Sequence, residues 1–431
     1  MTFDVITLGC RVNQYESDYI ISQLLSRGHT RASDNADIYV INTCTVTAES
    51  DRKSRQLIRR CISKSPNAIV IVTGCYSQIN QNEALSIDGV SFVCGNGCKS
   101  KIPEIIDRLL SGTCNERSLF CDLQSGEFDY TEAGAPTKRT RAFVKIQDGC
   151  DSKCAYCIIP SARGSVRSSN PQAVLSEIQK IADDGCIEVV LTGIETASYG
   201  KDFKNGYTLG DLLTQVDKID GIERIRLGSL DPSQITRDFV DKIKGLKKIM
   251  PHFHISLQSG CTKTLNAMKR KYSAEMAREN IAYLRSAFPK AMLSADIITG
   301  FPGESDEDFA KTYDFLKEIE FLHLHVFPYS KRKGTVAEKM PNQVPENVKK
   351  ERLYALYRLE KDTQGRIFSK ICEKSTELSV LFEVQKDGFL FGHSSDFIPV
   401  KLPATEPCLL RKCASVRAVS FDDDGIIAEL I

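Results

Sequence analysis

Short apolar runs punctuate this chain at regular intervals. Residues 3–8, 37–42 and 68–73 are three of them, each closed by a turn signal and followed by a stretch with helical spacing. Strands alternating with helices predict a doubly wound parallel sheet for residues 1–114. Over 115–141 the rhythm fades into polar residues, Gly and Pro, which predicts a linker. Strand-like runs then begin near Ala142, Ile187, Glu223, His252, Met292 and His323, each followed by a helical stretch. Six such units predict a partial (β/α)6 barrel over 142–371, left open on one side and able to admit a bulky substrate. Its last helix, 345–371, carries an apolar stripe of Leu353, Leu356 and Leu359. Runs at 378–383, 389–393, 397–402, 415–421 and 426–431 predict a small antiparallel β-barrel over 372–431, of the oligonucleotide-binding kind. The expected class is therefore α/β, in three parts.

Cysteines mark the strand ends. Cys10, Cys44 and Cys75 each follow one of the first three strands, and the carboxyl ends of parallel strands share one edge, where ligands bind. Residues distant in sequence thus converge, as a metal cluster requires or as three structural core thiols would. Asn13 and Glu16 have capping-box spacing and predict a helix start aimed at that edge. Cys150, Cys154 and Cys157 follow the first barrel strand in CxxxCxxC spacing, which lets one loop wrap three soft thiolates onto an iron-sulfur cube. With no fourth cysteine before Cys186, one iron would stay open to a cofactor. A zinc site short of a ligand, or free thiols, are the alternatives. Cys61, Cys94, Cys98, Cys114, Cys121 and Cys186 lack strand-end placement and read as core or surface thiols, with Cys94 and Cys98 as minor ligand candidates. His252 and His254 share one strand face and read as satisfied core histidines.

Composition narrows the setting. The 431 residues carry a formal charge of only +1, so nucleic-acid binding would depend on local patches. Arg52, Arg55 and Arg59 lie at helical spacing; further basic runs are Lys138–Arg141, 269–271 and 331–333. From Cys372 onward 6 Lys and Arg face 10 Asp and Glu, so the terminal barrel is a poor main anchor for phosphates. No apolar run is long enough to span a bilayer and no leader pattern opens the sequence, so a cytoplasmic location is expected, where clustered cysteines bind metal more often than they form disulfides.

The segment 147–164, running Gln-Asp-Gly-Cys through Cys157 to Arg163-Gly164, resembles the radical S-adenosylmethionine loop of the methylthiotransferases. The resemblance continues through 254–260, 268–272, 296–304 and 327–332, and through the Cys10 and Cys44 contexts at 7–17 and 42–47, which are similar to the branch that modifies threonylcarbamoyladenosine in tRNA. It covers nearly the whole chain. What it implies is an enzyme with two 4Fe-4S clusters: one on Cys150, Cys154 and Cys157 that reduces S-adenosylmethionine to a radical, and one on Cys10, Cys44 and Cys75 that presents sulfur for carbon 2 of the adenine. It further implies tRNA as a partner, a flavodoxin- or ferredoxin-type reducing partner, and a terminal TRAM domain. Tyr156, Gly193, Glu195, Ser256, Gln258, Asp296 and Arg163 are the expected cofactor contacts, Glu195 by accepting from the methionine ammonium and Arg163 by meeting a carboxylate. Arg332 ends the last barrel strand beside them.

Overall fold

The computed structural model describes residues 1–124, 127–133, 140–404 and 409–431. Six parallel strands form the first sheet: β1 Thr2–Thr7, β2 Thr30–Arg31, β3 Ile38–Thr43, β4 Ile69–Gly74, β5 Phe92–Cys94 and β6 Ser118–Leu119, in the order β2-β1-β3-β4-β5-β6. Every residue of β3 is buried, as expected of a central strand covered on both faces. The winding reverses between β1 and β3, opening a crevice at their carboxyl ends. Helices α1 Arg11–Ser26, α2 Ala48–Lys64 and α3 Cys75–Ile79 leave that edge. Two expectations change here. The helix α1 begins at Arg11 with Cys10 as N-cap, and Asn13 and Glu16 form no capping box because both turn inward. The region read as a linker contributes β6, a strand too short to show periodicity, and its Tyr130, Thr131 and Ala133 bond to the helix Pro171–Asp183 or to α1.

The central half-barrel comprises β7 Arg141–Lys145, β10 Glu188–Thr192, β11 Arg224–Leu227, β12 His252–Gln258, β13 Met292–Thr299 and β14 His323–Pro328, with a small antiparallel pair, β8 Gln147–Asp148 and β9 Arg167–Ser168, beside its first strand. These six strands form two three-stranded parallel sheets, joined by single bridges at Ile225–Ile249 and Leu230–Ile255. The open side between β7 and β14 is covered by the first domain. The helix Glu346–Glu373 packs on β14 at one end and carries Phe368 into the terminal core at the other. There β15 Glu377–Lys386, β16 Phe389–Ser394, β17 Pro399–Pro403, β18 Cys413–Asp422 and β19 Gly425–Leu430 close a barrel in the order β15-β16-β17-β19-β18. This barrel caps the amino ends of the central strands: Arg224 and Arg226 donate to the Ser394 carbonyl at 2.9 Å each, and Arg141 pairs with Glu383. The opposite, carboxyl end is left for the cysteine loop.

Candidate active site

Each cysteine triad is introduced by backbone only glycine tolerates. Gly74, with φ +100°, brings Cys75 against β3 so closely that a Cβ would lie 2.3 Å from the Thr43 carbonyl. Gly149, with φ +73°, does the same for Cys150, where a Cβ would meet the Ser165 carbonyl at 1.8 Å. Cys10 and Cys44 follow β1 and β3 at the reversal crevice, and Cys75 opens α3 beside them. Burial pushes the Cys10 and Cys44 thiols up, with Arg163 opposing the shift at Cys10. In the other loop burial raises Cys150 to about 12, with Glu195 adding to the shift, and Cys157 to about 11.

These thiols have the surroundings of cluster ligands. Arg163 Nε and Asn96 Nδ2 donate to Cys75 Sγ at 3.3 and 3.6 Å. Arg270 donates to Cys154 Sγ at 3.3 Å, and the backbone N–H groups of Ser152 and Ile159 point at Cys150 and Cys157 Sγ, 3.4 Å away in each case. Hydrogen bonds to ligating sulfur and nearby cations are what anionic iron-sulfur centres use, so the donor sets fit such clusters. Among the described residues, no three His, Cys, Asp or Glu side chains close on a single metal ion. A cube of four irons spreads its ligands more widely than one ion does.

Between the triads lies a buried ionic hub that nothing local in the sequence announces. Glu16 on α1 accepts from Lys145 Nζ at 2.9 Å and Arg163 at 2.6 Å, and also pairs with Lys99. Asp148 takes Lys145 at 2.7 Å and Arg163 at 3.2 Å. All five side chains are at most 5% exposed. The cations hold Glu16 well below the usual carboxylate range against the opposing effect of burial, and Lys145 and Arg163 likewise hold Asp148 at about 2. Glu16 and Lys99 belong to the first domain, and Lys145, Asp148 and Arg163 to the barrel, so the hub locks the two together on the β7 side. On the β14 side Arg332 reaches Asp51 and Thr45.

The expected cofactor contacts distribute unevenly around the loop. Glu195 stands beside Cys150, with Sγ–Oε2 at 3.3 Å, and lines a small cavity with Cys154, Lys201, Asp231, Ser233 and Arg270. Gly193 packs on Gln147, whose amide bonds the Asp148 and Gly149 carbonyls and so shapes the loop. Tyr156 packs edge-on against Phe301 with ring centroids 6.4 Å apart. Ser256 contributes its carbonyl, which accepts from Arg270 at 3.0 Å and from Tyr272. Gln258 sits at φ +65° where the β12–β13 register shifts. Asp296 pairs with His254 at 3.1 Å. Arg163 is the departure: fully buried, its carboxylates are Glu16 and Asp148, and it is committed to protein rather than to a ligand.

Other expectations are corrected as well. Cys98 and Cys121 are not thiols but are bonded to each other in a disulfide, and Cys94 Sγ lies against the Cys98 carbonyl at 3.3 Å. Arg270 and Arg332 are turned inward, leaving Lys269, Lys271, Lys331 and Lys333 as the exposed members of their basic runs. Lys138 and Arg139 lie outside the described residues, and Arg141 is spent on Glu188 and Glu383. His252 and His254 both meet Ser294 Oγ, at 3.1 and 2.9 Å, yet they line a cavity rather than a packed core.

A loop of three thiols at the carboxyl end of an open parallel half-barrel defines a radical S-adenosylmethionine enzyme, and residues 144–316 match the radical SAM superfamily. Residues 2–95 match the family described as Uncharacterized protein family UPF0004. The chain is 39% identical, over 93% of its length and 90% of theirs, to a threonylcarbamoyladenosine tRNA methylthiotransferase of Bacillus subtilis. It is 35% identical to the protein of that name from Thermotoga maritima, over 99% and 96% of the two chains. A tRNA-2-methylthio-N(6)-dimethylallyladenosine synthase of Pelotomaculum thermopropionicum is also 35% identical, over 91% and 89%. The chain belongs to the radical S-adenosylmethionine methylthiotransferase family, and S-adenosylmethionine and 4Fe-4S clusters are its cofactors. Among solved structures, the methyltransferase TsrM of Kitasatospora setae matches with a TM-score of 0.56 at 12% identity, over 76% of this chain and 72% of that one, a likeness of fold alone.

Proposed function

We propose that the chain adds a methylthio group to carbon 2 of threonylcarbamoyladenosine beside the anticodon of tRNA, with Cys150, Cys154 and Cys157 ligating one 4Fe-4S cluster and Cys10, Cys44 and Cys75 the other. The observation that carries it is the path of Arg163, which starts six residues after Cys157 and ends with its Nε on Cys75 Sγ, so that both triads face one crevice. When bound, the cofactors supply a radical able to take hydrogen from an unactivated carbon, and a sulfur to replace it. The protein's part is to hold and balance. Arg270 and the Ser152 and Ile159 N–H groups offset charge on one set of sulfurs, and Arg163 and Asn96 on the other. Glu195, in the cavity beside Cys154, accepts from the methionine ammonium of the cofactor, and Asp231 holds Arg270 in place at 2.6 Å.

The exposed arginines of α2, which starts four residues past Cys44, serve the tRNA, and a flavodoxin- or ferredoxin-type protein supplies electrons in the cytoplasm. No helix among the described residues is long and apolar enough to cross a membrane. The similarity to the Pelotomaculum synthase favours a second reading, in which the base carries dimethylallyl instead. Mass spectrometry of tRNA nucleosides from a strain lacking this chain tests the choice. The methylthio form of threonylcarbamoyladenosine is expected to disappear; its persistence in a strain with no second such enzyme overturns the assignment.

A further inference from the structure

Relatives of about equal identity act on bases whose N6 substituents have opposite chemistry, an amino-acid carboxylate in one case and a hydrocarbon in the other. Overall similarity leans toward the first, with a relative 39% identical, and the lining of the barrel lumen bears on the same choice. The barrel lumen holds a cavity of about 230 Å³. Five of the six histidines in the chain line it, His252, His254, His323, His325 and His393, with Arg11, Arg141 and Arg226. A hydrocarbon would gain little from such walls, since each polar group it covered would lose water without a new partner.

The charges of the cavity are already matched, with one exception. Arg226 pairs with Glu188 at 3.1 Å, and Arg141 with Glu188 at 2.6 Å and with Glu383. Of the acids, Glu383 also takes His393 at 2.6 Å, and Asp296 takes His254 at 3.1 Å. Arg11 lies above the Phe143 ring, 6.0 Å from its centroid, and among the described residues it has neither an ion pair nor a hydrogen bond. It is also the residue immediately after Cys10. A guanidinium held by an aromatic face, aimed into a lumen and lacking an anion is a preformed half of an ion pair.

We propose that Arg11 is the specificity-determining residue that receives the carboxylate of the threonylcarbamoyl group, with the histidine-lined lumen as the pocket for that substituent. The inference rests on the substrate reading above and extends it to one side chain. The same backbone that brings Cys10 to the reacting edge of the adenine brings Arg11 to its substituent, so sulfur delivery and substrate choice are set by adjacent residues. Asp296 and Glu188 are the acids whose fields Arg11 feels, alongside the like charge of Arg141. Because both acids are engaged by His254 and by arginines, an incoming carboxylate displaces no existing partner of Arg11.

The test uses the full chain with its clusters reconstituted anaerobically, and two anticodon stem-loop RNAs. One carries threonylcarbamoyladenosine, and the other the same base with its carboxylate as the methyl ester. The wild-type protein is expected to bind the acid roughly 10- to 100-fold more tightly than the ester, the range for hydrogen bonds to a charged group. In Arg11→Gln the acid is expected to fall to the affinity the ester already has, with KM rising for the acid RNA, while Arg11→Lys restores part of the preference. Iron content and circular dichroism of each variant establish that it is folded and loaded, and Arg11→Lys keeps the test decisive if Arg11→Gln is not. If Arg11→Gln weakens both RNAs equally, Arg11 serves a backbone phosphate and the proposal is wrong. If KM rises for S-adenosylmethionine instead, Arg11 holds the methionine carboxylate and the proposal is equally wrong. A wild-type protein that methylthiolates neither RNA overturns the substrate reading and the inference together, whereas failure of the variants alone overturns only the inference.

Discussion

Replacing Glu16 by Gln should destabilise the protein more than any other single change of charge to amide. Around this carboxylate the structure gathers three cations, Lys99, Lys145 and Arg163, and only one further anion, Asp148. The five groups carry a net +1, and the substitution raises it to +2 in a volume where no member is more than 5% exposed. Removing one partner from a buried ion pair typically costs about 3–5 kcal/mol, because the remaining charges stay desolvated. That is a large share of the roughly 5–15 kcal/mol by which a domain is stable. The effect depends on pH with a definite sign. Glu16 is held well below its ordinary value, so its contribution is present above about pH 4.5 and is lost as pH falls through the lowered value. Urea unfolding followed by circular dichroism at pH 7 measures the difference. Glu116→Gln, at the exposed pair with Arg108, is the control and should leave the transition in place. A loss at Glu16 below about 1 kcal/mol, the level of a surface pair, would refute the account of the hub.

Three further outcomes are expected. With two cubes the reconstituted chain holds about eight irons, and changing Cys150, Cys154 and Cys157 together to Ala should leave about four by iron analysis; an unchanged value would remove the ligand assignment. Glu177 is raised to about 8 by burial, with the Tyr15 hydrogen bond opposing the shift, so Glu177→Gln should gain on the wild type as pH rises from about 4.5 through about 8, and parallel melting curves across that window would contradict this. Reversing Arg52, Arg55 and Arg59 to Glu should weaken tRNA binding more than reversing Lys386, Lys412 and Arg417 of the terminal barrel, and should flatten log affinity against log salt by roughly 0.7–0.9 for each phosphate no longer neutralised; equal weakening by the two sets would refute the footprint on α2.

What could be read from the sequence is what is written locally. An apolar run with a cysteine at its end states both a strand and the edge where it stops, and the convergence of Cys10, Cys44 and Cys75 at one sheet edge is legible for that reason. The five strands of the terminal barrel announce themselves by turns between apolar runs. The hub was not legible, because Glu16 meets Lys99 83 residues away and Arg163 147 residues away, and no spacing rule connects them. The local signal even misled: Asn13 and Glu16 have the spacing of a capping box, yet Asn13 donates to the carbonyls of Leu8 and Thr43 and so ties the ends of β1 and β3 together. Arg270 and Arg332 sit in basic runs that suggest a solvated face, and only the fold reveals that the middle residue of each run turns inward. The Cys98–Cys121 disulfide and the two-residue β6 carry no periodicity at all.

Glu177 and Tyr15 show how far tertiary context reaches into such assignments. The Tyr15 hydroxyl has one proton, and three oxygens surround it: the Thr131 carbonyl and both carboxyl oxygens of Glu177, at 2.9 and 3.0 Å. One proton cannot serve three acceptors. The arrangement is satisfied when Glu177 is itself protonated and donates to Tyr15, which then donates to Thr131. Burial favours the same neutral form, so geometry and desolvation agree on a carboxylic acid at neutral pH. Tyr15 lies one residue from Glu16 on α1, and the two side chains make opposite demands. Glu16 must be charged to hold Lys99, Lys145 and Arg163, while Glu177 must be neutral to hold Tyr15 and the segment around Thr131. One turn of helix thus fastens the sheet that carries Cys10, Cys44 and Cys75 to the barrel by an ionic contact on one side and a neutral one on the other. Raising the pH through about 8 ionises Glu177 while Glu16 stays charged, so the segment at Thr131 should loosen first.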